Sequence, residues 1–199
     1  MNDSRAGTAR VVLVRHAQPA AIWGSGDDPD PGLDDTGREQ AETMARALAP
    51  SGPLPILVSP MARTRETAKP LAELWGVEPM TEPAVGELKA PADLGREHVS
   101  WLRDVMRSTY SELPAELRAF RDRVVDRIAA VTSDLVVVTH YLAINALVGA
   151  ATGDDRVVSF APAHCSRTVV DVARGGLTLI ELGASGDARR ILLDDSERS

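Results

Sequence analysis

Val11-Val12-Leu13-Val14-Arg15-His16 is a run of four apolar residues, three of them β-branched, followed at once by two polar ones. The run does not alternate, so as a strand it has both faces covered, as in a parallel sheet between helices. The same pattern recurs twice. Pro55-Ile56-Leu57-Val58 runs into Ser59-Pro60, and Leu135-Val136-Val137-Val138 runs into Thr139-His140. Three buried strands that each end in polar residues define one rim, and in open α/β sheets ligands bind outside the carboxyl ends of the strands.

Helical periods fill the gaps. Thr36 and Glu39 have capping-box spacing, which predicts a helix with Thr36 at its N-cap, and Pro50-Ser51-Gly52 ends it. Ser59 as N-cap, Pro60 at the first helical position and Gly76 at the C-terminus predict a second helix. Segments 96–108, 114–131 and 141–151 carry further helical patterns, the last almost wholly apolar. Residues 167–173 and 177–182 predict late strands around Gly175-Gly176, and 188–193 a further one, with the tail from Asp194 frayed. Strands alternating with helices imply an α/β fold with a mostly parallel sheet. The stretch Gly24 to Gly32 reads as a surface loop.

Composition bounds the function. The chain has 199 residues, 22 Lys+Arg against 29 Asp+Glu and a net charge of -7. That length predicts one domain over 1–199. The acidic balance argues against nucleic acid and anionic membranes as partners. No run approaches the roughly 18 apolar residues of a membrane helix, and Met1 to Thr8 lacks the apolar core of a signal peptide. One cysteine, Cys165, precludes an intramolecular disulfide and reads as a small buried hydrophobe. The expectation is a cytoplasmic protein; nothing in the sequence specifies its oligomeric state.

At the rim, the first strand delivers Arg15 and His16 and the third His140. The second delivers Ser59 and, one turn into a helix, Arg63. Arginine is a permanently charged, forked donor suited to phosphate oxygens, and a helix N-terminus adds amide donors. The set predicts a phosphoryl pocket with a nucleophile inside it, and a small phosphorylated molecule as substrate. His98 and His164 have no partner at metal spacing and read as structural or exposed residues, either able to border a pocket. The aspartates at 27, 28, 30, 34 and 35 lack the loop glycine of a calcium site and read as a solvated loop. Arg65 reads as solvent-facing.

The residues from Val12 to His16 resemble the signature of the histidine phosphatase superfamily, the phosphoglycerate mutase-like proteins. Leu33 to Ala41, Ser59 to Ala68 and Val136 to His140 are similar to its next three elements, in its order. The resemblance implies a three-layer α/β/α sandwich. It implies a metal-independent hydrolase, without cofactor, in which His16 takes the phosphoryl group and Arg15, Arg63 and His140 clamp its oxygens. Val85-Gly86-Glu87-Leu88 matches the element carrying the family's acid/base, which makes Glu87 the candidate and Glu82 the alternative. Pro91 stands where that element has glycine.

Three departures bear on the substrate. Ala17 replaces the usual glycine, Ile22 replaces the mutases' phosphate-holding asparagine, and Tyr141-Leu142 replaces a glycine pair, so that Tyr141 narrows the pocket. With Gln18 and Trp101 these make the candidate pocket lining, Trp101 fitting equally well as core. A cap-like segment over about 89–113 would set substrate choice. A phosphoglycerate mutase, a protein-phosphohistidine phosphatase and a non-catalytic phosphate-binding module are the alternatives. A mutase must exclude water, which needs a larger closing element than the span from Glu87 to His140 offers.

Overall fold

The computed structural model describes residues 7–21, 28–91, 94, 98–174 and 176–186. Ile22, the glycines at 24 and 26, Arg96, the side chain of His98 and the strand expected over 188–193 lie outside them. The elements in chain order are β1 (Ala9–Arg15), α1 (Asp35–Leu48), β2 (Ile56–Val58), α2 (Ala62–Trp75), β3 (Met80–Thr81), α3 (His98–Arg107), α4 (Ala115–Ala129), β4 (Leu135–Thr139), α5 (Tyr141–Thr152), β5 (Arg167–Ala173) and β6 (Gly176–Glu181).

The strands form one sheet in the order β3-β2-β4-β1-β5-β6. The pairs β3–β2, β2–β4 and β4–β1 are parallel, whereas β5 runs antiparallel to both β1 and β6. The mostly parallel α/β sandwich follows from the continuous apolar runs. Val14, Ile56, Val58, Val136 and Val138 face a cluster with Met44, Ala45 and Leu48 of α1 and Ala68, Leu71 and Ala72 of α2. Val11, Leu13, Leu57, Leu135 and Val137 face the other side, with Phe120, Val124 and Ile128 of α4 and the apolar body of α5. Residues 141 to 149 of α5 are all buried, as an all-round apolar helix must be. Among the described residues, no helix is long and apolar enough to cross a membrane.

Two helix starts differ from the sequence expectation. The N-cap of α1 is Asp34, whose side chain accepts from the Gly37 amide at 2.6 Å, and Glu39 points to solvent. Helix α2 begins at Ala62 with Met61 as N-cap. Its first amide donates to Asp30 at 2.9 Å, so the acidic loop supplies the cap, and the Ser59 hydroxyl accepts from the Met61 amide at 3.4 Å just before the helix. Among the described residues no His, Cys, Asp or Glu group could hold a metal. Gly76 ends α2 in the left-handed conformation, φ 64°, as expected. Arg65 is exposed, while Cys165 is only half-buried, packed against the α1/α2 cluster and against a small cluster of Ala17, Leu33 and Ala41.

Candidate active site

The site lies where β1, β2 and β4 end. The His16 amide donates to Thr139 O at 2.9 Å, extending the β1–β4 ladder by one residue. His16 Nδ1 lies 2.8 Å from Ala17 O. A carbonyl only accepts, so Nδ1 carries the proton and Nε2 keeps its lone pair. The acceptor that fixes the tautomer is therefore the next residue's own carbonyl. Ala17 N in turn donates to Thr67 Oγ1 at 2.9 Å, which donates to Arg63 O at 2.6 Å, so the nucleophile loop is bolted to α2.

Arg63 and His140 meet across the end of β4. Arg63 Nη2 lies 3.2 Å from His140 Nδ1, and His140 Nε2 lies 2.7 Å from Ser59 Oγ. A guanidinium only donates, so Nδ1 accepts and the Nε2–H donates to the serine. Both rings are buried, and the His16 and His140 centroids lie 5.3 Å apart. Burial lowers both imidazoles well below 6.5, with Arg15 and Arg63 pressing the same way. Both imidazoles are held neutral, which a nucleophilic nitrogen requires.

Arg15 Nη1 donates to Pro162 O at 2.8 Å, and its guanidinium stacks over the Tyr141 ring, 5.1 Å from the centroid. Its Nε is buried without a hydrogen-bond partner, a donor suited to an anion. Tyr141 is buried beneath this arginine, so it supports the phosphate-side cation and does not act as a loose gate.

Glu87 completes the cluster. Its Oε1 accepts from Leu88 N at 3.0 Å and its Oε2 faces the Leu142 amide, at 3.5 Å, in the first turn of α5. Burial pushes its carboxyl up to about 7, against the opposing pull of those amides, Arg63 and Arg15. Glu82 is committed elsewhere. It caps the turn at Pro83 through the Ala84 amide and binds Arg127 of α4, which holds it below the usual carboxylate range.

The structure thus brings Arg15, His16, Arg63, Glu87 and His140 together. Gln18 is occupied: its amide nitrogen donates to Asp34 at 2.8 Å, and its backbone N–H donates to Gln40 Oε1 at 2.9 Å. Trp101 is half-buried against the apolar cluster under α4 and α5, in keeping with its reading as core. Sequence reasoning missed the roles of Ser59, Thr67 and His164. Ser59 and Thr67 lie within the second-arginine element and could have been flagged as its only buried hydroxyls beside Thr64. His164, whose ring centroid lies 5.6 Å from that of His16, gives no signal of its own.

A family model described as histidine phosphatase superfamily (branch 1) matches residues 11–185. "Probable phosphoglycerate mutase GpmB" of Photorhabdus laumondii is 29% identical over 180 residues, covering 79% of this chain and 78% of that protein. PE-PGRS family protein PE_PGRS11 of Mycobacterium tuberculosis is 42% identical over 84 residues, only 40% of this chain and 14% of that protein. The native structure of mycobacterial glucosyl-3-phosphoglycerate phosphatase superposes with a TM-score of 0.67 at 21% identity, covering 89% of this chain and all of that one.

Proposed function

The chain belongs to the histidine phosphatase superfamily, and from that premise we propose that it is a metal-independent phosphomonoester hydrolase working through phosphorylated His16. The observation that carries the reading is the opposite pull on two buried groups. His16 is held without a proton on Nε2, while the Glu87 carboxyl keeps its proton up to about 7. Two groups whose pKa values are pushed apart in one site are the mark of paired nucleophile and acid.

In the first step His16 Nε2 attacks phosphorus and the P–O bond to the leaving group breaks. Glu87 gives its proton to the leaving oxygen. Arg15 and Arg63 donate to the phosphoryl oxygens, the role a divalent cation fills elsewhere, while His140, whose one N–H goes to Ser59, holds the Arg63 guanidinium through Nδ1. In the second step the Glu87 carboxylate takes a proton from water as that water attacks phosphorus. The P–N bond breaks, inorganic phosphate leaves and the lone pair returns to Nε2. The acidic balance and single cysteine support a cytoplasmic enzyme, and the paired arginines Arg15 and Arg63 support small phosphorylated substrates.

The test is phosphate release from p-nitrophenyl phosphate in excess EDTA, wild type beside His16→Ala. Turnover in the wild type and none in the variant is expected; turnover that survives in His16→Ala overturns the phosphohistidine route. The likeness to the Photorhabdus laumondii relative favours a mutase as the second reading. Interconversion of phosphoglycerates without net phosphate release would replace hydrolysis by that reaction.

A further inference from the structure

His16 has two imidazole neighbours. His140 lies 5.3 Å away at an interplanar angle of 58°, and His164 lies 5.6 Å away at 38°. His140 is locked by Ser59 and Arg63, and its part is already described. His164 reaches the site from a different part of the fold, the connection between α5 and β5.

That connection is tied to Arg15 at both its backbone and its side chain. Arg15 N donates to Ser166 O at 3.3 Å, Cys165 N to Arg15 O at 3.0 Å, and Arg15 Nη1 to Pro162 O at 2.8 Å. Its other side is pinned by Ala163 N to Ala184 O and Gly186 N to Ala161 O, at 2.9 and 2.8 Å. Within it Cys165 adopts a left-handed conformation, φ 55°, which a residue with a Cβ takes at a cost of about 1–3 kcal/mol. A strained backbone held by this many ties delivers the preceding side chain, His164, against the nucleophile's ring. His164 also lines an open groove along α1, together with Thr36, Gln40 and Thr43.

We propose that His164 is a positioning residue for the nucleophile: its ring packs on His16 and holds the imidazole in the attacking orientation. The inference rests on the phosphohistidine reading. Misplacing a reacting group by about 1 Å can slow a reaction roughly 100-fold, so a packing contact at this point acts on kcat. The phosphoryl donors Arg15 and Arg63 remain, so KM does not follow.

The experiment uses the full chain and p-nitrophenyl phosphate, with steady-state turnover and the pre-steady-state burst of nitrophenol. His164→Ala is expected to lower kcat and the burst rate about 10–100-fold, with KM within about threefold of wild type. His164→Phe, which keeps a planar ring, is expected to restore kcat to within about threefold of wild type. Melting temperatures of both variants separate packing at the site from loss of fold. If His164→Ala does not fold, His164→Leu takes its place, keeping bulk without a planar ring. An unchanged kcat in His164→Ala overturns the proposal, as does a His164→Phe that melts like wild type yet is as slow as His164→Ala. His16→Ala, run alongside, reports on the parent reading: its retained turnover removes the phosphohistidine, whereas its silence beside a fully active His164→Ala removes only the role of His164.

Discussion

His140 Nε2 lies 2.7 Å from the hydroxyl of Ser59, a residue that is itself fully buried at the end of β2. The serine sets the tautomer of His140 and frees Nδ1 to accept from Arg63. Ser59→Ala leaves a buried N–H unpaired, which costs about 1–3 kcal/mol. A lower urea midpoint and a reduced kcat/KM toward p-nitrophenyl phosphate are expected together. Wild-type stability with wild-type kcat/KM would show that the hydroxyl does not orient the ring.

The pH dependence of turnover follows from His16 and Glu87. The His16 lone pair is available well below 6.5, and the Glu87 proton is available up to about 7. kcat/KM is therefore expected to be flat in mild acid and to fall as pH rises through about 7. Glu87→Gln is expected to abolish that descending limb. It is also expected to slow phenyl phosphate by about 10²–10⁴ and p-nitrophenyl phosphate much less, since nitrophenolate leaves without a proton. A descending limb that persists in Glu87→Gln would assign the proton to another group.

The same carboxyl lowers stability. An unfolded glutamate ionises near 4.5, whereas Glu87 in the fold keeps its proton to about 7. Between those values the unfolded state binds fewer protons, so folding stability falls as pH rises across that window and stays low above it. Glu87→Gln removes the penalty. Above pH 7 the variant is expected to be more stable than wild type, by on the order of 3 kcal/mol, and below pH 4.5 no more stable. Denaturant midpoints at the two pH values check the sign, and equal differences at both would refute it.

Glu82 offers the contrasting carboxylate. It is tied to Arg127 and to the turn at Pro83, away from the imidazoles. Glu82→Gln is expected to lower stability by about 1 kcal/mol while leaving the pH profile of kcat/KM unchanged. A shifted descending limb in this variant, measured against Glu87→Gln, would exchange the two assignments.

The legible part of the fold is the part written in short-range patterns. The runs at Val11, Ile56 and Leu135 identified the buried strands, because four apolar residues in a row need cover on both faces. Gly76 marked the end of α2, since its backbone needs φ 64°. Strand β3 was not legible, for two residues carry no period. The start of α2 was misread because a side chain can cap from a distance: Asp30 reaches the first amide of α2 across 32 residues of chain; that of α1 was misread because Asp34, a cap residue as good as Thr36, stands two residues before it. That Tyr141 stacks on Arg15 was not legible either, since its sequence position shows only a bulky residue at the pocket. His164 was legible as a possible pocket border but not as a neighbour of His16, as sequence spacing does not say which loop folds back over a strand end. The core of the site was legible because β1, β2 and β4 each end in the residues they deliver.

Gly37 joins helix α1 to the nucleophile loop. It lies in the first turn of α1, and a Cβ there would fall on the backbone carbonyl oxygen of Gln18, two residues beyond His16. The two segments are also tied by Asp34 N to Gln18 O at 3.3 Å and by Gln18 N to Gln40 Oε1 at 2.9 Å. In an exposed helix, Gly→Ala would gain about 1 kcal/mol of helix propensity. Here the clash is backbone on backbone, and overpacking of that kind costs about 1–3 kcal/mol, so it outweighs the gain. Gly37→Ala is expected to lower the melting temperature. It is also expected to lower kcat, because the segment that must move carries the carbonyl of Ala17 that orients His16. A variant more stable than wild type with undiminished kcat would mean that α1 can withdraw without disturbing the nucleophile.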